Sequence, residues 1–189
     1  MVAPFDAMNF RRTLGQLPTG VTVITTTRPS GEPVGMACNS FTSVSLTPPL
    51  VMFCAANTSS TLVDFRTSGR FCVNILGSDQ DAVCRRFALK GVDRFADVRW
   101  TASTAGPRLA DALAWMSCSI EVEHPAGDHV IIIARVDDLR VNEDEPAPLV
   151  FHRGRYGSFG EGSTRKPPRF RSGRAATPSA VAATVGWAP

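Results

Sequence analysis

The sequence predicts a mainly β protein: an antiparallel barrel carrying two or three short peripheral helices. Three observations lead there. Strand-length runs of β-branched and apolar residues recur along the chain, turn residues join several of them as hairpins, and the helical stretches never alternate with strands as in βαβ units. At 189 residues the chain is of single-domain size and long enough to bury its own core.

Asp6 stands where it caps a helix running to about Leu14, with Phe10 and Leu14 on one face and Gly15 at the stop. The period then changes. Residues 21–27 are rich in Val, Ile and Thr, and residues 29–32 form a turn, so the chain folds back as a hairpin into residues 34–38. Pro48-Pro49 breaks the next stretch before residues 50–55, a continuous apolar run expected to be buried on both faces or nearly so. Ser59, Ser60 and Thr61 then offer capping hydroxyls to a helix reaching about Thr67, with Leu62, Phe65 and Arg66 at helical spacing. Residues 71–76 are another strand, and residues 79–89 a further helix with Val83 and Phe87 four apart. After an irregular stretch over 91–107, runs at 114–122 and 129–141 flank Pro125-Ala126-Gly127-Asp128 and make a second hairpin. Residues 149–152 are a last short strand. The folded domain is expected over 1–162, and 163–189, of Ser, Thr, Pro, Arg and Ala, reads as a mobile tail whose residues 181–187 can dock on a partner subunit.

Charge and cysteine content narrow the class. Five of the 20 basic residues (Arg165, Lys166, Arg169, Arg171, Arg174) fall in that tail, leaving 15 against 17 acids and a slightly acidic body unsuited to nucleic acid. The five cysteines are odd in number, sit mostly in apolar runs and include no Cys-x-x-Cys pair, the pattern of reduced buried thiols. The first residues lack the basic start and apolar core of a secretion signal, and no run approaches membrane-spanning length, so the expected location is cytoplasmic, with no membrane partner.

Familiar catalytic patterns are missing. There is no Gly-x-Gly-x-x-Gly, no Gly-x-x-x-x-Gly-Lys-[Ser/Thr] and no Gly-x-Ser-x-Gly, and His124, His129 and His152 offer no metal-ligand spacing, so no metal is expected. Residues 33–62 stand out instead: two apolar runs joined by small hydroxyl and amide residues, without one Asp, Glu, His, Lys or Arg. Such a stretch binds but cannot do acid–base chemistry, so any reaction there draws on a bound cofactor. The helix start at Ser59 to Thr61 presents free backbone amides to an anion.

The sequences at 35–51 and 68–76, with Arg-Phe-Ala at 86–88, Asp-Arg-Phe-Ala at 93–96, Gly-Asp-His at 127–129 and Pro-Leu-Val-Phe-His-Arg-Gly-Arg-Tyr at 148–156, occur in an order that resembles the short-chain flavin reductases. These are the reductase components of two-component flavin-dependent monooxygenases, and the similarity spans roughly residues 8–159. The resemblance implies a homodimeric Greek-key split β-barrel that binds FMN or FAD without a covalent bond, reduces it with NADH or NADPH, and serves a monooxygenase as a transient partner. It implies that Val34, Gly35, Met36, Ala37, Asn39 and Ser40 line the flavin ring. It further implies that Cys54, Ala55, Ala56, Asn57, Ser60 and Thr61 reach the ribityl chain and phosphate, with Arg86 as the phosphate's cation and Phe87 beside it. His129 is implied to position the nicotinamide without a covalent role, and His152, Arg153, Gly154, Arg155 and Tyr156 to border that cofactor. Ala134 stands where similar proteins often carry Gly. Two other readings stay open on the residues alone: an FMN-dependent oxidase or corrinoid reductase on the same barrel, and a flavin- or haem-binding module without catalysis.

Overall fold

The computed structural model describes residues 5–142 and 147–159; the tail expected at 163–189 lies outside the described residues. Seven antiparallel strands make the main sheet, in the order β3 (Pro33–Cys38), β2 (Thr22–Thr27), β6 (Arg70–Ile75), β9 (Ala114–Ala126), β10 (His129–Val141), β5 (Pro49–Ala56) and β4 (Thr42–Leu46). The chain thus leaves β2–β3, crosses to lay down β4–β5 at the opposite edge, and returns to the middle, a Greek-key path. A second sheet orders β1 (Thr19–Gly20), β11 (Leu149–His152) and β12 (Arg155–Ser158), and β7 (Trp100–Thr101) pairs with β8 (Arg108–Leu109). Helices α1 (Ala7–Leu14), α2 (Ser60–Ser68) and α3 (Asp81–Ala88) are peripheral.

No ladder joins the sheet's two edges, β3 and β4. What spans the gap is Ser40, in the link between them. Its hydroxyl accepts from the Cys54 amide at 2.9 Å and faces the Cys54 carbonyl at 3.3 Å, so one side chain satisfies backbone groups of β5 that a neighbouring strand would otherwise take. The barrel is therefore split at this seam.

Two apolar cores lie on opposite sides of β2 and β6. Ile24, Phe53, Phe71, Val73 and Ile132 fill the barrel, joined by Leu62 and Phe65 of α2; the rings of Phe53, Phe65 and Phe71 meet edge to face at 5.1–6.1 Å. Val21, Val23, Leu76, Cys84, Phe87, Phe95 and Leu149 form the second core under α3. Because β2 feeds both cores, its first five residues are all buried. The sequence assigned that situation to residues 50–55 instead. In the structure Val51, Phe53 and Ala55 face the core, while Leu50, Met52, Cys54 and Ala56 are only half-buried.

Buried polar groups hold the 103–109 loop against the sheet. Thr25 Oγ1 donates to the Pro107 carbonyl at 2.6 Å, and Asn74 accepts from the Leu109 amide at 2.8 Å while its amide group donates to the Val23 carbonyl. Helix α1 begins as expected, with Asp6 accepting from the Asn9 amide at 2.6 Å, yet none of its residues is buried. Strand β9 runs on to Ala126, which narrows the expected four-residue turn to Gly127-Asp128, with Gly127 at φ 67°. Among the described residues, no helix is long and apolar enough to cross a membrane.

Candidate functional site

Strand β3 is pressed closer to its support than any side chain allows. A Cβ on Gly35 would lie 2.9 Å from the Ile24 carbonyl oxygen and 3.0 Å from Phe87 Cε1, so glycine here is a packing requirement. Its carbonyl accepts from Arg94 Nη1 at 2.6 Å, and the same nitrogen reaches Thr61 Oγ1 at 3.2 Å. One residue on, Met36 Sδ meets the Ser59 hydroxyl at 3.9 Å, which sets the strand beside the start of α2. Ser59 is the N-cap residue but makes no side-chain cap bond, so the first amides of α2 are not answered by its hydroxyl.

Two cavities flank this strand. One, of about 440 Å³, is lined by Val34, Gly35, Ser60, Thr61, Arg28 and Arg94. The other, of about 180 Å³, is lined by Val21, Ala37, Asn39, Cys84, Phe151 and Tyr156. Residues 34–39 thus run from a cavity of mixed charge, where Glu32, Asp64 and Asp93 stand beside Arg28 and Arg94, to an aromatic one, and contribute no ionisable group beyond the buried Cys38 thiol, which burial pushes up. In the first cavity Arg28 is neutralised by Asp64 at 2.9 Å and Glu32 at 2.7 Å. Arg94 has no carboxylate partner among the described residues. A half-buried, unneutralised guanidinium beside two hydroxyls and a helix start fits a phosphate.

Arg86, the cation expected at this point, lies elsewhere: it reaches the Asp93 carbonyl at 3.5 Å and Asp97 at 3.7 Å, and does not line the cavity. The sequence contains Arg-Phe-Ala twice, and the two phenylalanines, Phe87 and Phe95, stack edge to face at 5.0 Å in the second core. Only the second copy turns its arginine toward β3. Arg94 was legible as part of Asp-Arg-Phe-Ala, but nothing local distinguishes it from Arg86. Two more of the expected residues turn their side chains inward: Phe87, 1% exposed, backs Gly35 from within the core, and Ala55, fully buried, faces the barrel interior. Ala134 is also fully buried in the barrel core.

The end of β5 is joined to the β9–β10 turn. Asn57 donates its amide to the Asp128 carbonyl at 3.0 Å and its side-chain amide to the Gly127 carbonyl at 3.2 Å, while Ala56 is registered with His129. His129 Nδ1 lies 2.7 Å from Asp128, and that hydrogen bond holds the carboxylate below its usual range. The partnership fixes the ring's orientation and leaves Nε2 available.

Strands β11 and β12 turn through Arg153 and Gly154, at φ 49° and 75°, the paired left-handed residues that a tight hairpin demands. Tyr156 stacks beside Phe151 at 5.3 Å, meets Cys84 Sγ at 3.2 Å through its hydroxyl and carries Arg85 over its ring at 4.7 Å. Burial and then the Cys84 bond push its phenol up to about 12. His152 and Arg155 are registered opposite each other and, with Tyr156, line a further cavity of about 690 Å³. The structure brings Tyr156 to the β3 residues Ala37 and Cys38, but His129 shares no described cavity with the 152–156 hairpin.

Known proteins with this arrangement are numerous. A reductase subunit of a flavin-dependent monooxygenase from Rhodococcus jostii is 46% identical over 152 residues, covering 80% of this chain and 77% of that one. Nitrilotriacetate monooxygenase component B from Mycobacterium thermoresistibile superposes with a TM-score of 0.81 at 39% identity, covering 91% of this chain and 96% of that one. The NADH:FAD oxidoreductase SgcE6 of Streptomyces globisporus, solved with NAD and FAD fragments, gives a TM-score of 0.80 at 34% identity over 87% of this chain and 99% of that one. With the flavin reductase like domain model matching residues 14–160, the chain belongs to the flavin reductase family.

Proposed function

We propose that this protein is an NAD(P)H-dependent flavin reductase whose reduced flavin is released to a separate flavin-dependent monooxygenase. The observation that carries the reading is the course of β3: a strand surface without charge, leading from the Arg94–Thr61–Ser60 cavity to the Phe151–Tyr156 cavity. FMN or FAD bound there supplies the redox chemistry by taking a hydride from the reduced nicotinamide.

The protein's own part is binding and orientation. Arg94, Ser60 and Thr61 hold the flavin phosphate. Val34, Gly35, Met36 and Ala37, with Asn39, Ser40, Cys54 and Ala56, offer neutral surface and backbone hydrogen bonds to the ring and side chain; Asn57 acts through the turn it anchors. His129, steadied by Asp128, positions the nicotinamide, and His152, Arg153, Gly154, Arg155 and Tyr156 border it. A neutral site favours neither redox state strongly, which suits a flavin that must leave after each turnover.

A second copy of the chain is inferred to cover the apolar surface left open by Phe10, Leu14, Leu46 and the half-buried face of β5. The absence of any disulfide among the five thiols is in keeping with a cytoplasmic setting.

The test is consumption of NADH and NADPH with FMN, FAD and riboflavin supplied in turn. Turnover that depends on added flavin is expected. Oxidation that needs no free flavin would mark an oxidase, and flavin binding without turnover would mark a binding module; either overturns the reading.

A further inference from the structure

Seven arginines (Arg28, Arg66, Arg85, Arg86, Arg99, Arg108 and Arg135) each engage a carboxylate. Where α1 meets the β11–β12 turn the pattern reverses. Arg11, Arg12 and Arg153 form no ion pair with a carboxylate among the described residues, yet they line one cavity of about 1050 Å³ together with Asn9, Gln16 and Phe151. Arg155, also without an acidic partner among the described residues, faces the adjoining cavity beside Arg153.

The junction is held in place. The Arg153 amide donates to the Gly15 carbonyl at 3.1 Å, its Nε donates to Gln16 Oε1 at 2.8 Å, and its Nη2 reaches the same oxygen. A neutral amide thus aims the guanidinium without cancelling its charge. Phe151 is a wall common to this cavity and to the aromatic one beside Ala37 and Asn39. On the far side Arg11 is near enough to Asp128 to add, after the His129 hydrogen bond, to the lowering of that carboxylate. The chain at the end of α1 thus meets the hairpin through Gly15 and Gln16, while Arg11 lies within electrostatic reach of Asp128, the neighbour of His129.

We propose that α1 and the hairpin tip form a cationic cleft that binds the diphosphate of the nicotinamide dinucleotide, with Arg11 and Arg12 as binding residues for it. This rests on the flavin reductase reading. Guanidinium groups match phosphate oxygens in pairs of hydrogen bonds, and three of them around one cavity suit two linked phosphates. The flavin phosphate is provided for at the other end of β3, by Arg94.

The test compares wild type with Arg11→Gln/Arg12→Gln, whose side chains make no hydrogen bond among the described residues, and with Arg70→Gln, an exposed arginine outside the cleft, as control. In the double variant the KM for NADH is expected to rise about tenfold or more while kcat and the flavin KM stay within about twofold, as befits loss of uniform binding. Calorimetric titration with ADP-ribose, which carries the diphosphate without the nicotinamide, is expected to weaken by a similar factor. Arg11→Lys/Arg12→Lys restores part of both, and the wild-type KM climbs with salt more steeply than the Gln variant's. An unchanged NADH KM and unchanged ADP-ribose affinity overturn the cleft while leaving the reductase intact. Should wild type oxidise neither NADH nor NADPH with any flavin, the functional reading falls instead. ADP-ribose then decides alone: tighter binding by wild type than by the Gln variant supports the cleft, and equal or absent binding overturns it.

Discussion

Replacing Gly35 with Ala tests how tightly β3, the strand proposed to face the flavin, is seated. The new methyl carbon would lie 2.9 Å from the Ile24 carbonyl oxygen, 3.0 Å from Phe87 Cε1 and 3.0 Å from Thr25 Cγ2, each several tenths of an ångström inside ordinary contact. Thr25 is the ladder partner of Gly35 and Ile24 precedes it, so neither yields without bending β2, which carries both cores. Phe87 is 1% exposed and wedged against Phe95, so its ring has nowhere to turn. Overpacking of this kind costs about 1–3 kcal/mol. For a domain of this size that lowers Tm by about 2–4 °C per kcal/mol. The relief available is outward movement of β3, which drags the Gly35 carbonyl from Arg94 and disturbs the phosphate cavity. Urea and thermal unfolding should therefore show reduced stability, and flavin titration a weaker Kd, with kcat at saturating flavin little changed. Phe87→Leu in the same background should recover part of the stability, a coupling read from a double-mutant cycle. Wild-type stability and flavin affinity in Gly35→Ala would refute the packing argument, and the absence of coupling would exonerate Phe87.

Three further expectations follow from single contacts. Arg94→Gln should raise the KM for FMN by about tenfold, the value of a charge-assisted phosphate contact, whereas Arg86→Gln should leave it within about twofold; the reverse ranking would restore Arg86 as the phosphate ligand. Tyr156 is the chain's one tyrosine, so alkaline titration of tyrosinate absorbance should find its midpoint at about 12 and a lower one in Cys84→Ala. Because folding favours the protonated phenol, the stability this group contributes is complete below about pH 10 and disappears as pH rises to about 12; a native midpoint near 10 would contradict the buried Cys84 contact. A thiol reagent at pH 8 should modify Cys54 first, since Cys38, Cys72, Cys84 and Cys118 are buried and Cys72 is pushed up to about 12. Flavin should slow that reaction, and rapid modification of all five thiols in the native state would argue against the packed barrel.

Much of the architecture was legible because its signals are local. The cap at Asp6, the β-branched run from residue 22, the turn at Gly31 and the two long strands around Gly127 each carry their cause within a few residues. The outer face of β5 is covered only in part, a distinction the sequence does not carry because an apolar run looks alike whether its outer face meets this chain or something else. Short strands such as β4, and β12 after the Arg153-Gly154 turn, escape periodicity because two to five residues carry too little pattern. At the candidate site, the order of motifs named the segments, but which of Arg86 and Arg94 turns toward β3 depends on where a loop returns. Likewise Ala55 and Phe87 sit in the right segments with their side chains inward, which strand register and helix phase decide only once the elements are packed.

The gap closed by Ser40 has a consequence for how this protein can diversify. Across that line no ladder has to stay in register, so residues inserted or removed at 39–41 would shift no pairing in the other strands. The linker proposed to border the isoalloxazine can thus be remodelled to suit different flavins or acceptor enzymes, while the seven-stranded frame behind it keeps its pairing unaltered.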